Sequence, residues 1–204
     1  MEYFISDMHL GHANILKNRT MFSTIEEMNE TLIERWNKKV HKDDHVYILG
    51  DFCYRSKIPA EQYLEQLKGK KHLIMGNHEI DWLKGSQYDK LSSYFESIDS
   101  LVTIKRNKIQ ITLCHFPMLE WNGSRYASQG TSYLIHGHIH EIKNEIYEYI
   151  KANQPTALNC GVDINNFEPV TFEELIENNA KFYERTYTDE EIALLKEAIE
   201  RLKK

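Results

Sequence analysis

The sequence predicts a mixed α/β sandwich with helical flanks, and three observations point to this fold. Short apolar runs alternate with helical patterns in the first half of the chain. A succession of strand-like runs follows, and two acidic helical segments close the chain. With 204 residues, 41% of them hydrophobic, the chain is long enough to bury a core. We therefore expect a single domain over residues 1–204, with its core at 1–170 and C-terminal helices at 171–204.

The strands are expected where short apolar runs end at turn residues. These runs occupy residues 3–5, 46–49, 72–75, 101–104, 109–113, 133–135 and 156–159. The fourth and fifth runs are separated by Arg106-Asn107-Lys108, which is typical of a β-hairpin.

The helices are expected where apolar residues recur at helical spacing, at 25–40 and 60–67 between the early strands and at 172–185 near the end. Thr188 begins a capping box that opens one more helix. The apolar stripe of that helix would either pack onto the domain or form the contact of a homodimer. It consists of Ile192, Leu195, Ile199 and Leu202.

Composition narrows the possible partners and location. A net charge of −6 argues against a nucleic-acid partner, which usually requires a basic face. The three cysteines, Cys53, Cys114 and Cys160, are odd in number and far apart, which is typical of buried thiols in a reducing compartment. The N-terminus does not resemble a signal peptide, and no run approaches the roughly 18 apolar residues of a membrane span. We expect a cytoplasmic protein without a membrane partner.

Candidate metal ligands follow five of the predicted strands. In open α/β folds, sites form at the carboxyl ends of strands. Carboxylates, one amide oxygen and imidazoles are the donor mixture that two neighbouring divalent ions need. A water between such ions loses a proton near neutral pH and becomes a nucleophile, so the pattern predicts metal-assisted hydrolysis. The candidates are Asp7, His9, Asp51, Asn77, His115, His138 and His140.

Spacing suggests how these donors are shared. Asp7 and His9 are two residues apart and would face the same side if the strand continued, so they could share one ion. Asp51 follows a glycine and could bridge two ions. His138 and His140, on another glycine turn, could each serve a different ion. The alternative, that these are ordinary loop residues, does not explain all five segments together.

One further histidine has a different expected role. His78 neighbours Asn77 and could donate a proton to the leaving oxygen, a contribution of roughly 10²–10⁴-fold. Glu79 could orient it, and Asp163 could support the site from its loop.

Five residues are weaker candidates for substrate contact. Arg55 could hold a phosphate or be a solvated loop charge. Trp121 could stack on a base or pack in its loop, and Arg125 could meet a phosphate. His12 and Asn14 could touch substrate or only cap a helix.

The motifs taken together resemble the calcineurin-like metallophosphoesterase superfamily. Its motif order is D-x-H, G-D, G-N-H-[DE], H and G-H-x-H. The matching segments are Asp7-Met8-His9, Gly50-Asp51, Gly76-Asn77-His78-Glu79, His115 and Gly137-His138-Ile139-His140. The resemblance implies a four-layer α-β-β-α sandwich with two metal ions and His78 as the catalytic histidine. The first ion would be held by Asp7, His9, Asp51 and His140, and the second by Asp51, Asn77, His115 and His138.

Within the superfamily, the chain is more similar to small bacterial and phage-type members, mostly predicted phosphoesterases. The similar segments are residues 4–15, 115–122 and 161–170. One departure concerns the protein Ser/Thr phosphatases, which carry G-D-x-x-D-R-G. Here Tyr54 replaces the acid that partners the catalytic histidine in those enzymes, while Arg55 is retained. This difference argues against a protein phosphatase.

These observations predict a dimetal phosphoesterase that hydrolyses small phosphate esters, with phosphodiesters of nucleotide-like character preferred. The alternatives are a metal-dependent nuclease, a phosphomonoesterase or protein phosphatase, and a metal-binding scaffold without catalysis. Oxygen and nitrogen donors admit manganese, iron, nickel, cobalt or zinc.

Overall fold

Two four-stranded sheets form the centre of the molecule in the computed structural model, which describes residues 1–203 apart from the side chain of Ser86. The first sheet contains β1 (Glu2–Ile5), β2 (His45–Leu49), β3 (Lys70–Ile74) and β4 (Phe95–Asp99). The second contains β5 (Leu101–Arg106), β6 (Ile109–Cys114), β7 (Ser132–His136) and β8 (Ala157–Asn159).

Both sheets keep their strands in chain order, and most neighbours are parallel. In the first sheet all three pairings are parallel, and Tyr3 lies opposite Val46. In the second sheet β5 and β6 are antiparallel, with Leu101 opposite Cys114, while the other pairings are parallel. The predicted hairpin is therefore confirmed.

Among the described residues, seven α-helices connect or flank the strands. They are α1 (Ile25–Lys39), α2 (Ala60–Leu64), α3 (Glu79–Trp82), α4 (Tyr88–Ser92), α5 (Glu145–Asn153), α6 (Phe172–Phe182) and α7 (Asp189–Leu202). The prediction of a helix at 60–67 was too long, because the chain leaves α2 after Leu64 and turns through Gly69, at φ +86°, into β3. The helix predicted at 172–185 also ends earlier, at Phe182.

Three apolar clusters place the helices and sheets in four layers. Residues of α1 and α2, such as Trp36 and Leu64, pack with Ile48 on one face of the first sheet. Phe4 of the first sheet and Leu113 of the second belong to the cluster between the sheets. The outer face of the second sheet is covered by α5. The fold is thus the four-layer α-β-β-α sandwich that the resemblance implied.

The C-terminal helices pack beside the central cluster. Both begin with capping boxes, at Thr171 and Thr188, which satisfy backbone donors of the first turn. In α7, Ala198 is buried, and Leu195, Ile199 and Leu202 pack on the central cluster, whereas Ile192 is 37% exposed. Packing onto the domain therefore accounts for most of the predicted apolar stripe. The division at residue 170 and the homodimer stay predictions.

The topology brings five strand ends to one edge of the sandwich. The loops after β1, β2, β3, β6 and β7 all follow carboxyl ends of parallel strands. Isolated bridges extend the contacts between these loops, from Ser6 to Gly161 and from Leu10 to Cys53. Within the described part of the chain, no helix has the length and apolar character needed to cross a membrane.

Candidate metal centre

The predicted ligands meet at this edge of the two sheets. Donor atoms of Asp7, His9 and His140 lie within 4.8 Å of one another. The same holds for Asp7, Asp51 and His115. Asp7, Asp51 and His115 are almost completely buried, so their charges and ring nitrogens are withdrawn from solvent. The fold thus collects donors that are up to 133 positions apart in the sequence, from residue 7 to residue 140.

Two pairs of imidazoles face each other within this group. The Nε2 atoms of His9 and His140 are 3.3 Å apart, and His115 Nε2 lies 3.2 Å from His138 Nδ1. Asn77 joins the second pair through its side-chain oxygen, 3.1 Å from His115 Nε2. These two groups match the division of donors that the resemblance implied.

Asp51 lies between the two groups. Its Oδ2 is 3.6 Å from His9 Nε2 and 3.7 Å from His115 Nε2. It is also 3.8 Å from Nε2 of His78, so His9, Asp51 and His78 form a third cluster that could hold an ion. Geometry alone therefore leaves two roles for His78, and its assignment as the catalytic histidine stays a prediction.

The donor set fits divalent metal ions. Two nitrogen ligands of a tetrahedral ion, each about 2.0–2.1 Å from the metal, lie about 3.3–3.4 Å apart, close to the separation of the facing imidazole nitrogens. Burial raises the pKa of Asp51, and the neighbouring Asp7 carboxylate raises it further, although His115 opposes both. Two buried carboxylates of this kind require nearby positive charge, which a metal ion would supply.

Two of the histidines, His9 and His138, are shifted toward the neutral form that binds metals. Burial, with His140 and Arg19 nearby, lowers the pKa of His9 to about 2, so this imidazole is neutral. Burial and the neighbouring His115 also lower the pKa of His138. Nδ1 of His115 lies 2.7 Å from the carbonyl oxygen of Leu49, and donation to that acceptor leaves Nε2 free to face the other donors.

The ligand loops use a backbone conformation that side chains seldom adopt. Positive φ angles occur at Asp7 (58°), His9 (50°), Asp51 (53°), His138 (71°) and His140 (51°). Such strain costs on the order of 1–3 kcal/mol at each residue and concentrates at functional sites. The strand geometry does not continue through Asp7 and His9, since β1 ends at Ile5. The two side chains instead reach the same cluster from left-handed turns.

Two glycines permit this close approach of the loops. A Cβ atom at Gly50, whose φ is +78°, would lie 2.5 Å from His115 Nδ1 and 2.7 Å from the Gly76 backbone. A Cβ atom at Gly137 would lie 2.5 Å from Asp7 Oδ2. A side chain at either position would displace a predicted ligand.

A buried ion pair supports the first group of donors. Arg19 donates to both carboxylate oxygens of Asp163, at 2.7 and 3.0 Å, and to the backbone oxygens of Asp7 and Met8. Asp163 Oδ2 lies 2.8 Å from Nδ1 of His140, which leaves His140 Nε2 facing the metal donors.

The contacts in this network shift the pKa values of Asp163 and His140. Burial tends to raise the pKa of Asp163, but hydrogen bonds from His140 and Arg19 outweigh it and hold the pKa well below its usual value. Burial tends to lower the pKa of His140, and the hydrogen bond to Asp163 together with the charge of Asp7 raises it instead. The sequence singled out Asp163 as a support, whereas Arg19 carried no local signal.

Glu79 does not orient His78, contrary to one expectation. Its carboxylate is fully buried and accepts hydrogen bonds from the backbone N–H groups of Asp51, Phe52 and Gly76, at 2.7–2.9 Å. Burial raises the pKa of Glu79, while these backbone donors lower it. Glu79 therefore ties the loop after β2 to the loop after β3.

His78 is instead packed against an aromatic ring. Tyr54 stacks on it with ring centroids 3.7 Å apart, and His12 stacks on Tyr54 at 4.9 Å. The nearest carboxylates, Asp51 and Asp81, lie 3.8 and 4.0 Å from its ring nitrogens. Its side chain is 25% exposed, more than that of Asp51, so it can reach a molecule in solvent.

The five weaker candidates for substrate contact differ in their burial and in their distance from the metal centre. Trp121 is buried, and its Nε1–H donates to Ser132 Oγ at 3.0 Å, so it packs in the second sheet's outer cluster and does not offer a face to a base. His12 lies beside the centre through its contacts with His9 and Tyr54. The remaining candidates, Asn14, Arg55 and Arg125, are exposed.

Comparisons with known proteins agree with the fold. The model of the calcineurin-like phosphoesterase family matches residues 3–151. An uncharacterized protein of Methanocaldococcus jannaschii is 35% identical over 178 residues, which cover 85% of this chain and 88% of that protein. The gene 66 protein of Mycobacterium phage L5 is 31% identical over 159 residues, covering 68% and 76% of the two chains.

A solved structure of a protein of unknown function from Aquifex aeolicus is also similar. It has a TM-score of 0.64 and 27% sequence identity, and the match covers 87% of this chain and 98% of that one. The family is dimetal-dependent, and the clusters described above are able to bind metal ions. Its model matches more than half of the sequence, and the chain therefore belongs to the calcineurin-like phosphoesterase family.

Proposed function

We propose that this protein is a dimetal phosphoesterase that hydrolyses small phosphate esters, with nucleotide-like phosphodiesters preferred. The observation that carries the proposal is the meeting of two donor groups around Asp51, whose Oδ2 is 3.6 Å from His9 and 3.7 Å from His115. A scaffold that had lost catalysis would not need this complete donor set beside an accessible histidine.

The predicted site residues would have two roles, metal binding and proton donation. Two divalent ions, when bound, supply an activated water and positive charge for a phosphoryl oxygen. Asp7, His9 and His140 would hold one ion, Asn77, His115 and His138 would hold the other, and Asp51 would be shared. His78 would hold a proton at Nε2 for the leaving oxygen of the substrate.

A diester is favoured over a monoester by the charges near the donors. A monoester carries a second negative charge that the site would have to neutralise. Arg19 is hydrogen-bonded to the donor loops, but it is buried and its charge is paired with Asp163. It therefore does not supply positive charge for the second negative charge of a monoester. A long nucleic acid is disfavoured because the net charge is −6. We therefore propose that the substrate is a small soluble ester. We also propose that the enzyme is cytoplasmic.

The donor chemistry favours transition metals. Imidazole nitrogens suit manganese, iron, nickel, cobalt and zinc, and carboxylate and amide oxygens suit manganese well. We propose manganese as the first ion to be tried, since it accepts both kinds of donor.

The test is hydrolysis of an aryl phosphodiester beside the matching monoester. Protein stripped of metal would be assayed after addition of Mn²⁺, with metal content measured in parallel. We expect metal-dependent diester turnover that falls about 10²–10⁴-fold in His78→Ala while two ions remain bound.

Other outcomes distinguish the alternatives. Faster turnover of the monoester would favour a phosphomonoesterase. Loss of an ion in His78→Ala would make His78 a ligand. No turnover of either ester by protein that binds two ions would contradict the proposed function and favour a binding scaffold.

A further inference from the structure

A cavity of about 680 Å³ lies next to His78 and outside the metal donors. One wall is the segment 53–61, which follows β2, and the other is formed by residues of α3 and α4 between 81 and 91. None of the seven predicted metal ligands lines it. The cavity is large enough for a drug-sized organic group, since ligand pockets measure roughly 300–1,000 Å³.

Two residues connect this cavity to His78. Tyr54 lines the cavity and stacks on the His78 ring, with centroids 3.7 Å apart. Asp81 also lines it, and its Oδ2 is 4.0 Å from His78 Nδ1. The cavity therefore begins on the side of the site where His78 lies.

The position of the proton donor decides which part of a substrate enters the cavity. Hydrolysis forms a bond from the water oxygen to phosphorus, releases one water proton to solvent, and breaks the bond from phosphorus to the leaving oxygen. The proton on His78 Nε2 passes to that leaving oxygen, so the released product is an alcohol or a phenol. The group attached to the leaving oxygen must extend past His78, and the cavity is the space on that side.

The charges that line the cavity favour an anion. Lys90 is 2.8 Å from Glu61, and the two charges compensate each other. Arg55 and Lys57 form no ion pair with any carboxylate of the described residues, which leaves two uncompensated cations against Asp81. The guanidinium of Arg55 is held 5.0 Å above the Tyr54 ring, at the end of the cavity that meets His78.

The walls also offer an apolar surface. Trp82, Leu91 and Ile58 line the cavity, and Trp82 packs on Phe52 of the loop after β2. A flat apolar body with a charged substituent would satisfy both kinds of wall.

We propose that this cavity is the leaving-group subsite. It selects phosphate esters whose leaving group carries a further negative charge on a flat apolar body. The assignment rests on the proposed function, because it takes His78 as the proton donor.

The test compares two methyl phosphodiesters that differ only in the leaving phenol. One carries 4-nitrophenol, and the other carries the same phenol with a sulfonate on the ring. The double variant Arg55→Ala/Lys57→Ala removes the two unpaired cations. Lys38→Ala, an exposed lysine of α1 on another surface, serves as the matched control. Binding of the free sulfonated phenol to metal-stripped protein would be measured by ligand-observed NMR.

We expect the wild-type protein to prefer the sulfonated ester in kcat/KM. That preference should fall about fivefold or more in the double variant, since each exposed charge contact contributes a factor of up to about five. The control variant should keep it, and the free sulfonated phenol should bind about fivefold more weakly to the double variant.

The experiment distinguishes a wrong subsite assignment from a wrong proposed function. Turnover of both esters with the same preference in wild-type protein and double variant would overturn the subsite and leave the phosphoesterase in place. No turnover of either ester by protein that holds two ions would overturn the proposed function, and the leaving-group assignment with it.

Discussion

Replacement of Asp163 by asparagine tests whether the buried ion pair holds the first group of donors. Asp163 receives two hydrogen bonds from Arg19, and the side chains are only 5% and 1% exposed. The asparagine is nearly isosteric, so it removes the charge and leaves the volume. Arg19 would then be a buried cation without its partner.

The cost can be estimated from this geometry. Removal of one partner of a buried ion pair costs about 3–5 kcal/mol of unfolding free energy. In a chain of this size that loss corresponds to a drop in Tm of about 6–20 °C. The asparagine amide keeps one oxygen and cannot accept all three hydrogen bonds that Arg19 and His140 Nδ1 make to the carboxylate. A weakened contact to His140 lowers metal affinity by up to about 10–100-fold.

The pH dependence of the unfolding free energy provides a second test of this prediction. Because the folded pKa of Asp163 is held below its ordinary value of 3.8, its stabilisation is present above about pH 3.8 and is lost as pH falls through the folded pKa. The difference in unfolding free energy between wild-type protein and the variant should therefore shrink below about pH 3.8.

The assay is thermal and urea unfolding of metal-free protein, followed by metal titration. Asp43→Asn is the matched control, because the Asp43 side chain is 79% exposed and its nearest cation is 4.0 Å away. It should change stability by less than about 0.5 kcal/mol. A loss below about 1 kcal/mol in Asp163→Asn, with unchanged metal affinity, would refute the argument.

Three further substitutions test other parts of the site. Asp51→Asn should weaken binding of both ions, since its Oδ2 faces both groups of imidazoles; an unchanged metal stoichiometry by elemental analysis would exclude the bridging role. Tyr54→Leu should lower kcat about tenfold to a hundredfold because His78 loses its stacked ring, whereas Tyr54→Phe should retain activity; equal losses in the two variants would assign the effect to the hydroxyl. Trp121→Ala should cost about 3–5 kcal/mol of stability and change KM equally for aryl and nucleotide-like esters; an effect on nucleotide-like esters alone would restore the base-stacking interpretation.

The meeting of the candidate metal donors could be predicted from the sequence because each lies in a short motif after an apolar strand. Parallel strands bring their carboxyl ends to one edge, so the topology alone places Asp7, Asp51 and Asn77 together. The division of imidazoles into two facing pairs follows the resemblance to the family. The assignment of these donors to two ions stays a prediction until metal binding is measured.

Contacts between distant segments could not be predicted in this way. Arg19 finds Asp163 at a separation of 144 positions, and nothing near Arg19 in the sequence indicates a buried ion pair. The stacking of Tyr54 on His78 could not be predicted either. The sequence shows that position 54 lacks the acid of the protein phosphatases, but it does not show that the tyrosine ring stacks on His78 instead.

Two of the elements that the sequence analysis missed have different causes. The β4 strand carries Glu96, Ser97 and Asp99 in five residues and lies at a sheet edge, so it lacks the apolar run used to find strands. By contrast, the start of α5 could have been recognised in the sequence, because asparagine is a preferred N-cap residue. In the structure the Asn144 side chain accepts hydrogen bonds from two backbone N–H groups of the first turn.

The ions would join loops that belong to the two different sheets. Each group of donors takes residues from both sheets, with His140 opposite Asp7 and His115 opposite Asn77. A bound ion is therefore a cross-link between the two sheets, and the first ion would close the chain segment of 133 positions from Asp7 to His140. A ligand at 100 times its Kd adds about 2.7 kcal/mol to the stability of the folded state. The metal supply would thereby influence the folded fraction of the protein as well as the proposed turnover.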